Sequence, residues 1–191
     1  MLVAAAVASR LGSSGMTPHE PTVAIEPEQA AAIFAEFAAL RVVQEVREDE
    51  SGAALGFQQG GQGRLALGDA NYATHLRLAR RSQERQHPVG VTFGEGQTIT
   101  EIIRAHNDVP SQLWEEEPGQ ARVLFQGHDG VFRLRPEHPE AARLRAELGE
   151  ALRQKARVWF IAQKPNLTLL DVLPDNESIS KTADRANGAL L

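Results

Sequence analysis

The chain contains no cysteine, which removes disulfides, thiolate metal sites, iron–sulfur clusters and cysteine nucleophiles at one stroke. Lysine is nearly as scarce: Lys155, Lys164 and Lys181 are the only three among 20 basic residues. So strong a preference for arginine points to a GC-rich bacterial genome. Aromatic residues are 5% of the chain, too few to line long stacking surfaces. Long apolar runs are missing too. Residues 2–8, LVAAAVA, are apolar, but no Lys or Arg precedes them, and the run is too short for a signal peptide core or a membrane span. The sequence therefore predicts a cytoplasmic protein without membrane contact. No G-x-S-x-G elbow, Walker-type loop or H-E-x-x-H is present, so no motif designates a nucleophile, a phosphate cradle or a zinc site. Neither a catalytic set, a cofactor nor a metal is expected.

What the chain does have is ordinary in amount and informative in order. Its 191 residues, 42% hydrophobic, can bury one sizeable core or two small ones. A formal charge of -5 leaves nucleic-acid binding to a local basic face rather than to overall attraction. Residues 1–25 carry Ser, Gly and Pro without a period and predict a disordered leader, with Met16 as an alternative start. EPEQAAAIFAEFAAL, residues 26–40, predicts an amphipathic helix: Pro27 suits a first turn, Glu26 and Glu28 suit the positive helix end, and Ile33, Phe34, Phe37 and Leu40 form a stripe. A hairpin follows in 41–57, RVVQEV and AALGF around a polar turn.

Two later stretches then carry the same order of signals. The first runs from the strand ending at Phe57 through a glycine-rich turn, RLAL, a helix over 70–86, PVGVTF and TITEIIR; the second from ARVLF through QGHDG, VFRL, a helix over 139–156, ARVWFI and LTLLDVL. Aligning Arg64 with Arg133 also aligns Val89 with Val158 and Val91 with Phe160 without a gap, and one inserted residue then pairs Glu101 with Asp171. The helix stripe is clean in the second copy (Ala141, Leu144, Leu148, Ala151 and Leu152), while His75 faces Leu144 in the first. The sequence thus predicts an α+β fold: two ββαββ pseudo-repeats, each an antiparallel sheet or small partly open barrel with one helix, after an N-terminal helix and hairpin strand. Element order alone resembles part of the small Greek-key barrels, such as the oligonucleotide/oligosaccharide-binding fold. An open sheet covered on one side by a helix fits equally. The expected organisation is a leader (1–25), the N-terminal helix with the first unit (26–108), a linker of strand breakers (109–120), the second unit (121–173) and a flexible tail (174–191).

Functional signals are sparse. His106-Asn107-Asp108 with Glu101 is the one place where a base and carboxylates crowd together, but Asn-Asp before Val-Pro is common turn chemistry, and a turn is the stronger reading. His128-Asp129-Gly130 reads as a hairpin tip rather than a dyad. GGQG (60–63) and GEG (94–96) lie between strands and serve turning. Residues 121–173 carry nine Lys and Arg against six Asp and Glu, a net +3, whereas residues 1–62 carry three against eight, a net -5. Strand parity puts Arg133, Arg135 and Trp159 opposite the core positions of their strands, so these three are the expected binding residues, for single-stranded nucleic acid if they share one sheet face. The competing expectation covers Trp159 with a helix or with the other copy. On balance the sequence predicts a non-catalytic interaction or scaffold protein that self-associates; the alternatives are a single-stranded nucleic-acid-binding module and an unrecognised hydrolase.

Overall fold

The computed structural model describes residues 38–117 and 119–175. They form a mixed α+β fold of two halves that meet at Ala105. The first half comprises β1 (Ala39–Arg41), β2 (Val43–Asp49), β3 (Gly52–Phe57), β4 (Gln62–Ala66), α1 (Tyr72–Arg85), β5 (Val89–Phe93) and β6 (Ile99–Arg104). The second comprises β7 (His106–Asp108), β8 (Pro110–Glu117), β9 (Gln120–Phe125), β10 (Phe132–Leu134), α2 (Ala141–Gln154), β11 (Val158–Gln163) and β12 (Thr168–Pro174).

Strands pair into three open sheets, ordered β2-β3-β4, β1-β5-β6 and β7-β11-β12-β10-β9-β8. None closes into a barrel. The expectation of purely antiparallel pairing needs one correction: β10 runs parallel to β12, with Arg133 opposite Thr168. A helical crossover after β10 makes this possible, since a parallel pair cannot be joined by a tight turn. In the first half the corresponding contact shrinks to one parallel bridge, Arg64 to Thr98.

Each helix covers one half. α2 buries Leu144, Leu148 and Ala151 against Ala121, Val123, Phe125, Phe132, Leu134, Val158, Phe160, Leu169 and Val172, and the Phe125 and Phe160 rings stack with centroids 4.0 Å apart. α1 buries His75, Ala79 and Ser82 over Val43, Leu55, Leu65, Val89, Val91, Ile99 and Ile102. Both helices end on a residue in the left-handed region, Gln86 at φ 54° and Lys155 at φ 52°. A third apolar cluster fills the seam between the halves: Ala38, Leu40 and Ala105 against Ile161 and Leu170, with Ile103, Trp159 and Leu173 at its margin. Gly90 makes this closeness possible, because a Cβ there would lie 2.6 Å from Ile103 Cγ1 and 3.0 Å from Ile161 Cδ1.

Three segments depart from the sequence reading, the shortest being His106–Asp108, read as a turn of the first unit but forming β7 on β11 of the second. Most of the helix expected over 26–40 lies outside the described residues, but its last two positions, Ala39 and Leu40, belong to β1. Leu40 is buried in the seam, and its amide donates to Asp171 Oδ2 at 2.7 Å, a tertiary bond that helical periodicity cannot register. The expected linker is mostly strand: β8 pairs with β9 from Pro110–Phe125 to Glu117–Gln120. Pro110 opens that strand, where a missing N–H is tolerated, and Leu113 packs on the second core. The expected leader and all of the tail beyond Asp175 lie outside the described residues.

Candidate anion-binding cleft

Where α1, the β6–β7 crossing and β11 converge, a cleft of about 420 Å³ opens between the halves. Its wall carries Arg81, Arg85 and Arg104, the imidazoles of His87, His106 and His128, and Trp159; among the described residues no Asp or Glu lines it. The local reasons are simple. Arg81 and Arg85 are four residues apart, one turn of α1, and so share a helix face. Arg104 and His106 flank Ala105 on extended chain, so both point away from the seam into which Ala105 is buried. His87 and Trp159 pack ring to ring across the halves, centroids 4.8 Å apart.

Several arginines outside the cleft have carboxylate partners: Arg64 with Asp49, Arg80 with Glu48, Arg122 with Glu116, and Arg145 with Glu115. Glu115 is drawn down to about 2 by the Arg145 guanidinium and the Gly119 amide. Among the described residues no carboxylate or hydrogen-bond acceptor engages the guanidinium of Arg81, Arg85 or Arg104. Like charges one helical turn apart are mildly destabilising. Arg85 is partly compensated by the negative end of α1, in whose last turn it lies; Arg81 and Arg104 are not.

Beside the arginines lies a hydrogen-bonded chain. Asp108 is buried at the end of β7. Its Oδ1 accepts from the Val109 amide at 2.8 Å, and its Oδ2 from the Gly127 amide at 2.7 Å. His128 Nδ1 lies 2.8 Å from the same Oδ2, and His128 Nε2 lies 3.1 Å from His106 Nδ1. Burial alone would raise the Asp108 pKa, but the bonds from His128, Val109 and Gly127 outweigh it and hold the carboxyl below its ordinary value. Glycine at position 127 suits this approach, since a Cβ there would sit 3.0 Å from Asp108 Oδ2 and press on it. Burial lowers the His106 pKa, helped by the positive potentials of His128, Arg104 and Lys164. The ring of His106 also stacks on Phe160, centroids 5.4 Å apart at 26°.

The residues singled out from the sequence fare differently. Trp159 lines the cleft, half-buried at the seam, where first-half atoms cover one side of it. Arg133 and Arg135 are exposed and line neither this cleft nor its neighbours. Arg133 lies opposite Thr168 and Trp159 opposite Leu173 on β12, a separation of roughly 15 Å along the strand alone. The three do not form one patch. Glu101 is exposed, pairs with Thr92 and lies outside the cleft that His106 lines, so the acid–base pairing considered from sequence is not formed. His128 does have an acid partner, though not its neighbour Asp129: it is Asp108, twenty residues earlier. Strand parity held a clue, since positions 106 and 108 share a face; nothing local announced His128 or the three arginines.

Among the described residues no group of His, Asp and Glu has an arrangement that would hold a metal ion, and no helix is long and apolar enough to cross a membrane. No family model, curated protein or solved structure matches the chain. Function has to be argued from this geometry.

Proposed function

We propose that the protein binds a small anionic ligand of the phosphate type in the cleft between its halves. The observation that carries this reading is the convergence of Arg81, Arg85 and Arg104 on a wall without a carboxylate. Planar guanidinium donors match phosphate oxygens in geometry as well as charge, and a cleft of about 420 Å³ suits a ligand the size of a sugar phosphate or nucleotide. Exposed apolar surface gives less support to a protein partner: Leu67 and Trp114 are the large hydrophobic side chains exposed among the described residues. Calorimetric titration with pyrophosphate at low salt tests the reading. Binding that weakens with salt, and about tenfold in Arg81→Gln or Arg104→Gln, is expected. No heat at millimolar pyrophosphate would sink it. A salt-dependent oligonucleotide complex untouched by Arg81→Gln would instead favour the exposed Arg133 and Arg135.

Self-association is a second reading with one observation behind it. β8 is the outermost strand of the six-stranded sheet, and Trp114 on it is 37% exposed; an unpaired edge is a template for a second chain. Sedimentation of the wild type and of Trp114→Ser would show whether that edge is used.

The finer architecture we propose is a duplication of one unit. Its support is coincidence of detail. Gln58 N bonds Val42 O and Gln126 N bonds Val109 O, both at 3.0 Å. Bulges fall at Val43/Glu45 and Pro110/Gln112, and again at Thr92/Phe93 and Ile161/Ala162. β1 lies on β5 with Arg41 opposite Val89, as β7 lies on β11 with Asp108 opposite Val158.

A further inference from the structure

The chain from Asp108 through His128 to His106 has a direction. An ionised carboxylate can only accept, so His128 donates from Nδ1 to Asp108 Oδ2. Neutral His128 is then an acceptor at Nε2, and the bond to His106 Nδ1 has to be donated by His106. A neutral His106 donating from Nδ1 carries its lone pair on Nε2. Among the described residues no group bonds that nitrogen, and its ring is exposed on the wall of the cleft that Arg104 also lines.

We infer that His106 is a general base: its Nε2 takes a proton from a hydroxyl or water beside an anion held by Arg81, Arg85 and Arg104. The inference rests on the anion-binding reading and deepens it, because it specifies a ligand that carries a proton donor next to its anionic group. In the transfer the donor's O–H bond breaks, the proton adds to Nε2, and its electron pair stays on the ligand or water oxygen; nothing is oxidised or reduced. His128 and Asp108 are positioning residues. They fix the tautomer and spread the charge of the resulting imidazolium toward a carboxylate, an arrangement that makes imidazole an effective base. Burial first, and then the positive potentials of Arg104 and Lys164, lower the pKa of His106; His128, Arg81, Arg85 and His87 are the other titratable groups that face it.

The test reads the lone pair itself. Diethyl pyrocarbonate acylates unprotonated imidazole, and peptide mass spectrometry resolves each histidine. In the full-length protein at neutral pH, His106 should react at least about threefold faster than exposed His87, with a pH midpoint below the ordinary histidine value. Asp108→Asn should slow His106 about threefold or more and leave His87 unchanged. If Asp108→Asn fails to fold, His128→Phe, which keeps an aromatic ring against Phe125, Phe132 and Phe160, should slow His106 likewise. A His106 no faster than His87, or indifferent to the substitutions, overturns the inference. Pyrophosphate titration separates the two ideas. Binding with an inert His106 sinks the base and spares the anion site, whereas a reactive His106 without binding sinks the anion site and the ligand assigned here.

Discussion

The two halves share their strand pairings but not their interiors. The second half has a continuous six-stranded sheet, stacked phenylalanines and a helix that buries Leu144, Leu148 and Ala151. The first has two three-stranded sheets joined at a single bridge, and its helix buries His75, Ala79 and Ser82. Hydrogen bonds replace apolar contact there. Ser82 Oγ accepts from the Val43 amide at 3.0 Å and donates to His87 O at 2.7 Å, and His75 Nδ1 meets Asp69 Oδ2 at 3.0 Å. The Asn71 amide, with His75, holds Asp69 below its ordinary pKa. A helix thus covers an apolar filling in one half and a partly polar one in the other, where side-chain hydrogen bonds meet the buried groups of His75 and Ser82. The polar version leaves α1 free to present arginines, while the apolar version gives the histidine chain a firm floor.

Substitutions can break that contrast. The largest effect is expected at Leu148, fully buried on the inner face of α2: Leu148→Ala should cost about 3–4 kcal/mol in chemical denaturation. Next comes the tie across the seam. Asp171 accepts from the Leu40 amide and from Arg143 Nη2, each at 2.7 Å, so Asp171→Ala, which strands a buried amide, should cost about 2–3 kcal/mol. Ser82→Ala leaves Val43 N and His87 O unmet and should cost about 2 kcal/mol, and hydrogen exchange should show the loss in the first half. Gly90→Ala forces Ile103 and Ile161 apart and should cost about 1–2 kcal/mol. The smallest effect comes from acid. Folding lowers the pKa of His106, so the unfolded chain binds that proton more tightly, and stability should fall as pH drops below about 6.5. Asp108, also lowered, adds a second loss below its ordinary value of 3.8. Thermal melts from pH 8 to 3 should therefore descend in two steps, and His106→Gln should remove the upper one.

Local elements were legible in the sequence because their signals are local. Apolar content and turn signals marked β3, β5, β9 and β11 as strands, alternation put Val89, Val91, Val158 and Phe160 on buried faces, and the 3.6-residue period placed both helices within two residues of each end. Three strands escaped, β7 among them, because His106-Asn107-Asp108 before Val-Pro has the composition of a turn. β1 looked helical because its Ala-Leu content fits a helix stripe, whereas its pairing with β5 and the Leu40 amide bond to Asp171, both distant in sequence, hold it extended. β8 was hidden by Pro110 and three glutamates, which are acceptable on an edge strand whose outer face meets water. Sheet order, including the parallel β10–β12 pair, depends on how the halves close and leaves no mark on composition. The cleft was the least legible part. Its arginines look like solvated positions one by one, and His128 meets Asp108 only through the β8–β9 hairpin.

Among the described residues the polypeptide passes between the halves once, at Ala105, and its immediate neighbours Arg104 and His106 both face the cleft. Arg104 shares the first half with Arg81 and Arg85, whereas His106, His128 and Trp159 reach the cleft from the second, so their distance from Arg81 and Arg85 depends on the angle at which one half leans on the other. A guest gripping both sides would act as a strut across a hinge, so that occupancy and the tilt of the molecule would become a single coordinate.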